Sequence, residues 1–181
     1  MKVPRLRSRN HSLPFQVAAV CYRRRESSVD FLLVNTNGSG KWTFPKGSPG
    51  SQISHSHAAE REALEEAGAI GAIQSRHFHL YIHSKGVFWK PPGIQEFVVK
   101  AFLLEVNELQ SPQESERNPT WFSAGDAKKM LAKGRERKYS QELSVVIDRA
   151  LEHIQRNPTV SQNGSKRFSK IPAGVSELLN R

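Results

Sequence analysis

The sequence predicts an α/β protein, a mixed sheet with helices on either side, and three observations predict it. Short β-prone runs alternate with helical segments across residues 15–155. A stretch rich in Ala and Glu at 55–67 lies between Ser54, a good N-cap, and Gly68, which supplies a left-handed stop. Near the end, Leu143, Val146, Ile147, Ala150, Leu151 and Ile154 recur at helical spacing over residues 140–155.

In chain order, the β-prone runs 15–22 and 30–35 are separated by the charged residues 23–28, which reads as a hairpin with a long loop. The Gly-, Asn- and Ser-rich residues 35–40 break the chain. Trp42-Thr43-Phe44-Pro45-Lys46-Gly47 follows as a short aromatic strand ended by proline and glycine, and 48–53 has no periodicity and reads as loop. In the helix at 55–67, Ala58, Ala59 and Ala63 form a small-residue face that can lie close to a sheet. Beyond it, residues 75–84 alternate as a strand, Pro91-Pro92-Gly93 makes a loop, and the apolar run 95–106 suits a central strand. A polar stretch interrupted by prolines leads to a brief strand at 120–122, a helix to about Ala132 and the last amphipathic helix. There is no internal repeat.

At 181 residues the chain is long enough for one well-buried domain. Its formal charge is +10, and the two ends carry most of it: residues 1–14 hold four basic and no acidic side chains, residues 156–181 five basic and one acidic. The expected organisation is a basic tail at 1–14, a domain at 15–156 and a basic, flexible tail at 157–181. Because the charge sits in the tails, a nucleic-acid partner is not the leading expectation; an RNA-associated role acting through the tails is the minority alternative. The single cysteine, Cys21, lies in an apolar run and reads as a half-buried structural thiol, so no disulfide forms within a monomer. With no apolar stretch of membrane-spanning length and no secretory signal, a cytoplasmic protein without membrane attachment is expected.

The chemistry concentrates at Arg61-Glu62-Ala63-Leu64-Glu65-Glu66-Ala67-Gly68. Helical spacing puts Glu62, Glu65 and Glu66 at i, i+3 and i+4, so their carboxylates share one patch and suit a hard divalent cation. Three clustered anions repel unless something positive sits among them. The chain here resembles the Nudix hydrolases, whose box reads G-x5-E-x7-R-E-U-x-E-E-x-G-U, with U aliphatic; Gly47, Arg61, Glu62, Glu65, Glu66 and Gly68 fall on its places. The slot of the first glutamate holds Ile53, and Ala63 and Ala69 fill the aliphatic slots.

The resemblance implies a Nudix-type α/β/α sandwich and hydrolysis of a diphosphate linkage with Mg2+ or Mn2+. It assigns metal binding to Glu62, Glu65 and Glu66, with Glu62 and Glu66 foremost, and to the carbonyl of Gly47. Arg61 would orient a glutamate or hold the loop, one glutamate would act as base, and Lys46 would contact phosphate. Ile53 can neither ligate metal nor accept a hydrogen bond from Arg61, and family members often recruit a glutamate from outside the box; Glu114 and Glu116 are the preferred candidates. Phe44-Pro45-Lys46-Gly47 and Asn118-Pro119-Thr120-Trp121-Phe122-Ser123 look like the branch acting on diadenosine and diphosphoinositol polyphosphates. Its inositol-directed members usually carry consecutive glycines where Lys46-Gly47-Ser48 stands, so a dinucleoside polyphosphate or a nucleoside di- or triphosphate leads.

Arg23, Arg24 and Arg25, with Arg23 and Arg25 foremost, and the cluster Lys128, Lys129, Lys133, Arg135, Arg137 and Lys138 are candidates to steer phosphates; each reads equally as a solvated turn or helix face. Trp42, Phe44, Tyr81, Phe88, Trp89 and Trp121 are aromatics able to stack a base or pack the core. His77, His79 and His83 offer a competing zinc site, with His55 and His57 at the start of the helix, but no fourth ligand is fixed. Two other readings stand beside the enzyme: a module that binds a nucleotide without turnover, and RNA association. Family members are often dimers, and nothing in the sequence marks an interface.

Overall fold

The computed structural model describes residues 13–86 and 93–157. Residues 1–12, 87–92 and 158–181 lie outside it, and with them nearly all of both basic tails, Phe88, Trp89, and Pro91 and Pro92 of the loop expected there.

Eight strands form one mixed sheet. A long first strand β1 (Phe15–Arg24) turns into β2 (Val29–Asn35), and two two-residue strands follow, β3 (Trp42–Thr43) and β4 (Lys46–Gly47), separated by Pro45. The helix α1 (His55–Ala67) leads to β5 (Ala69–Ile73), β6 (His79–Gly86) and the sixteen-residue β7 (Ile94–Leu109). A 3-10 turn at Ser115–Arg117 then precedes β8 (Thr120–Ser123), α2 (Ala124–Ala132) and α3 (Arg137–Arg156). The order is β3-β2-β1-β7-β5, with β4 on β1, β6 on β7 and β8 on β2. Strands β1 and β7 are parallel, Ala18 opposite Ala101, and every other pairing is antiparallel.

Each face of the sheet has its own core. Val17, Ala19, Cys21, Leu32 and Val34 point to one side, where Ala58, Ala59, Ala63 and Ala67 of α1 cover them. Side chains this small let the helix lie close to the strands. On the other face Ala18, Val20, Tyr22, Phe31, Leu33 and Phe44 pack with Ala127 and Leu131 of α2 and with Leu143, Val146, Ile147, Ala150 and Ile154 of α3. Period-two alternation along β1 thus feeds two helical layers, which makes an α/β/α sandwich.

The caps are where the sequence places them. The Ser54 hydroxyl accepts the His57 N–H at 3.2 Å, and Gly68 closes α1 at φ +63°, its N–H donating to Leu64 O. Three expectations differ. The aromatic strand at 42–47 is cut in two by Pro45, which lacks a ladder N–H. A strand not anticipated, β5, pairs with β7 through a bulge at Ile70/Gly71; its run Ala-Ile-Gly-Ala-Ile carries no strong β signal. Cys21 is fully buried rather than half-buried. Among the described residues, no helix is long and apolar enough to cross a membrane.

Gly68 is also the point where the chain after β7 returns to α1: Gln110 N–H donates to Gly68 O at 2.9 Å, and a Cβ at 68 would collide with Gln110 O. Gly68→Ala is expected to lose about 2 kcal/mol of unfolding free energy from the left-handed backbone and this collision together. The readout is a lower midpoint in urea at unchanged slope.

Candidate active site

The helix α1 positions its glutamates by anchoring its alanines. With Ala59, Ala63 and Ala67 fixed on the sheet, the helical repeat brings Glu66 under the same surface and leaves Glu62 at its margin and Glu65 further out. Glu66 is 3% exposed.

A buried carboxylate needs partners for both oxygens, and Glu66 has them. Oε2 accepts the Lys46 backbone N–H at 3.1 Å, and Oε1 pairs with Arg117 Nη2 at 2.6 Å. Arg117, only 12% exposed, also donates through Nε to Glu114 at 2.6 Å and through Nη1 to Asn35 O at 3.2 Å. Burial pushes the Glu66 carboxyl up to about 7, and Lys46 and Arg117 hold it from rising further.

Glu62 lies against the backbone of Gly47, so closely that a Cβ at 47 would overlap its carboxylate. A side chain at 47 would displace the Glu62 carboxylate from this seat. Burial raises the Glu62 carboxyl; the hydrogen bond from Arg61 opposes that, while Glu65 and Glu114 add to it. Arg61 reaches three groups: Ser48 O at 3.3 Å, Glu62 Oε1 at 3.4 Å and Glu65 Oε1 at 3.6 Å. It thereby ties the loop after β4 to the helix. Ile53, in that loop, is 42% exposed.

The structure brings Lys46, Gly47, Arg61, Glu62, Glu65 and Glu66 together and adds Glu114, whose N–H donates to Glu65 O at 3.1 Å. It does not bring Arg23 and Arg25. Both pair with Asp30 in the β1–β2 hairpin, at 2.9 and 3.0 Å, and Arg23 stacks on Trp121. Gly47 is registered opposite Val17, six residues up β1 from Arg23, which separates them by roughly 20 Å. The second basic cluster also disperses: Lys128 pairs with Asp148, Lys129 with Asp126 and Lys138 with Glu96. Trp42 packs edge-on against Phe122 and Phe44 against Tyr81. Arg117 went unnoticed in the sequence, where the only signal is the requirement for a cation among the glutamates.

Among the described residues, no three His, Cys, Asp or Glu side chains converge closely enough to hold a metal ion. The zinc alternative finds no support, since His77 packs on Phe102, His55 on Phe15 and His83 on Phe97. For the glutamates the reason is the pairing itself: Arg117 holds Glu66 and Arg61 reaches Glu65. The donors still suit Mg2+, which takes one or two carboxylates and keeps several waters. Glu62 against a side-chain-free backbone at Gly47 is such a donor set.

The NUDIX domain model matches residues 14–143, well over half of the chain. The chain belongs to the NUDIX family. Its fold is also that of solved structures of low identity. An Ap4A hydrolase binary complex from C. elegans is 19% identical with a TM-score of 0.58, over 80% of this chain and 99% of that one. A NUDIX hydrolase from Listeria monocytogenes is 18% identical with a TM-score of 0.56, over 77% and 96%. The NUDIX domain of Shewanella oneidensis NrtR complexed with ADP ribose is 18% identical with a TM-score of 0.53, over 79% and 89%. No curated protein matches. Membership in the NUDIX family implies a hydrolase of nucleotide-type substrates, and such hydrolases generally use divalent metal ions.

Two outcomes follow from these contacts. Arg117→Met leaves Glu66 buried without its counter-cation and is expected to cost about 3 kcal/mol in metal-free buffer. The double variant R117M/E66Q should lose less than the two single losses added, a coupling read by denaturant unfolding. The second concerns His83, which burial lowers from 6.5 to about 3, Lys46, Arg135 and Lys85 adding to the effect. A histidine depressed in the fold is protonated first in the unfolded chain, so its contribution is full above pH 6.5 and lost as pH falls towards 3. The difference in unfolding free energy between the chain and His83→Gln should fall across that window with a slope of at most about 1.4 kcal/mol per pH unit, the raised Glu66 carboxyl, common to both, acting in the opposite sense below about pH 7.

Proposed function

We propose that the chain is a Mg2+-dependent hydrolase that cleaves a diphosphate linkage in a dinucleoside polyphosphate or a nucleoside di- or triphosphate. The observation that carries this reading is the seat of Glu62 on Gly47 with Glu66 locked beneath the same helix. The catalytic unit is residues 15–156, with the basic tails outside it.

Glu62, Glu65, Glu66 and the Gly47 carbonyl would hold the ion, Glu62 and Glu66 foremost. Magnesium, when bound, neutralises phosphate charge and supplies an oriented water for attack at phosphorus. Arg61 keeps the loop and the outer carboxylates in place, and Lys46, whose side chain leaves the other face of β4, would reach phosphate beyond the metal. Glu114 is the candidate to stand in for the glutamate replaced by Ile53, because it shares Arg117 with Glu66 and its charge is felt by Glu62. Glu116 makes no comparable contact among the described residues. The choice of the dinucleoside polyphosphate branch rests on the motifs at 44–47 and 118–123.

A second reading, nucleotide binding without turnover, is favoured by Ile53 and by the commitment of Glu66 to Arg117. Hydrolysis of a nucleotide panel separates the two. Turnover that requires Mg2+, vanishes with EDTA and falls at least about 100-fold in kcat/KM for Glu62→Gln and Glu66→Gln is the expected result. Saturable nucleotide binding with no product from any diphosphate would establish the binding module instead.

A further inference from the structure

We propose that Arg117 is a positioning residue that acts as the exchangeable counter-ion of the glutamates: its guanidinium and a divalent cation compete for one oxygen of Glu66, so that Arg117 sets how tightly the ion is held. The inference rests on the metal-dependent reading above and concerns a residue outside the box.

Both oxygens of Glu66 are engaged. Oε2 accepts the Lys46 N–H at 3.1 Å, and Oε1 pairs with Arg117 Nη2 at 2.6 Å, both side chains being largely withdrawn from water. A cation ligated through Oε1 would sit within a few ångströms of the guanidinium, and two positive charges so close with little water between them repel. Ligation by Glu66 therefore requires Nη2 to withdraw.

Arg117 has somewhere to go. Its Nε donates to Glu114 Oε2 at 2.6 Å, so its charge stays paired when the Glu66 contact is given up. The Glu114 side chain is 40% exposed and can follow the guanidinium outwards. Both residues lie at the 3-10 turn Ser115–Arg117, in the connection between β7 and β8 rather than in the ladder, so a shift there breaks no strand pairing.

The other arginine among the glutamates is differently placed. Arg61 is 42% exposed and reaches Glu62 and Glu65 only at 3.4 and 3.6 Å, a loose contact that water and an incoming cation displace readily. Arg117, at 12% exposure, is the cation whose removal from its carboxylate decides the outcome. While the guanidinium occupies Oε1 the ion lacks a ligand, and its apparent affinity falls by the fraction of time that oxygen is free. By reciprocity, a bound ion weakens the hold of Arg117 on Glu66 by the same factor.

Mn2+ binding to the full chain without nucleotide, followed by the electron paramagnetic resonance signal of the free ion in about 0.5 M KCl to screen long-range charge, tests the competition apart from turnover. The expected result is Mn2+ affinity at least about tenfold tighter in Arg117→Met and raised by an intermediate factor in Arg117→Lys, whose single ammonium cannot hold Glu66 as the fork does. Saturating Mn2+ should also raise the urea midpoint of R117M more than that of the unaltered chain, since the ion then replaces the missing counter-cation. A purely structural Arg117 predicts the reverse, weaker binding in a disturbed site. Affinity that stays within about twofold, or weakens, overturns the proposal, and R117K decides alone if R117M does not fold. Mg2+-dependent turnover with unaltered Mn2+ affinity in the variants removes the counter-ion role and leaves the hydrolase reading. The expected order of affinities in a chain that hydrolyses nothing retains the counter-ion role and removes the hydrolase reading.

Discussion

The arrangement of the acidic helix depends on one buried ion pair, Glu66 with Arg117. A carboxylate under a helix packed on a sheet is destabilised by several kcal/mol unless it is paired and hydrogen-bonded. Arg117 supplies the pair and the Lys46 backbone the hydrogen bond. Four parts of the chain are joined as a result: α1 through Glu66, β4 through Lys46 N–H, the end of β2 through Asn35 O, and the segment after β7 through Glu114. The glutamates are held in register with Gly47 by this knot as well as by alanine packing.

The same knot divides the charges. Since Lys46 and Gly47 are consecutive, one strand of two residues presents a bare backbone to Glu62 on one face and an ammonium to the other. Acidic groups collect beside α1 and basic groups beside β6 and Arg135.

Local signals made the helix legible. Ser54, Gly68, the alanine face and the carboxylate spacing are all encoded within fifteen residues, and α1 has the bounds these predict. The α/β/α sandwich was equally legible, because the unbroken apolar run in β1 and the 3.6 period of α3 each report burial. What the sequence hid were partnerships across distance. Arg117 lies 51 positions from Glu66, and Arg135 93 from Trp42, so neither shows locally that it is committed. Arg23 and Arg25 show the converse: clustering along the chain places them on a hairpin, where Asp30 pairs with both. The strand β5 escaped notice because small residues and a glycine suit the close approach to β7 but carry little propensity.

The substitution at Ile53 becomes intelligible from the contacts of Arg61. In the box, the resemblance gives this arginine a glutamate partner in the loop; here the residue in that slot is apolar and partly exposed, and the guanidinium turns to the Ser48 carbonyl and to Glu62 and Glu65. The loop is still tied down, now through a backbone oxygen rather than a carboxylate. What the exchange removes is one negative charge, and Glu114 brings one back, drawn in by Arg117 and by its own N–H to Glu65 O. The acidic group beside α1 thus includes a glutamate from outside the box, held where Arg117 and the Glu65 carbonyl meet.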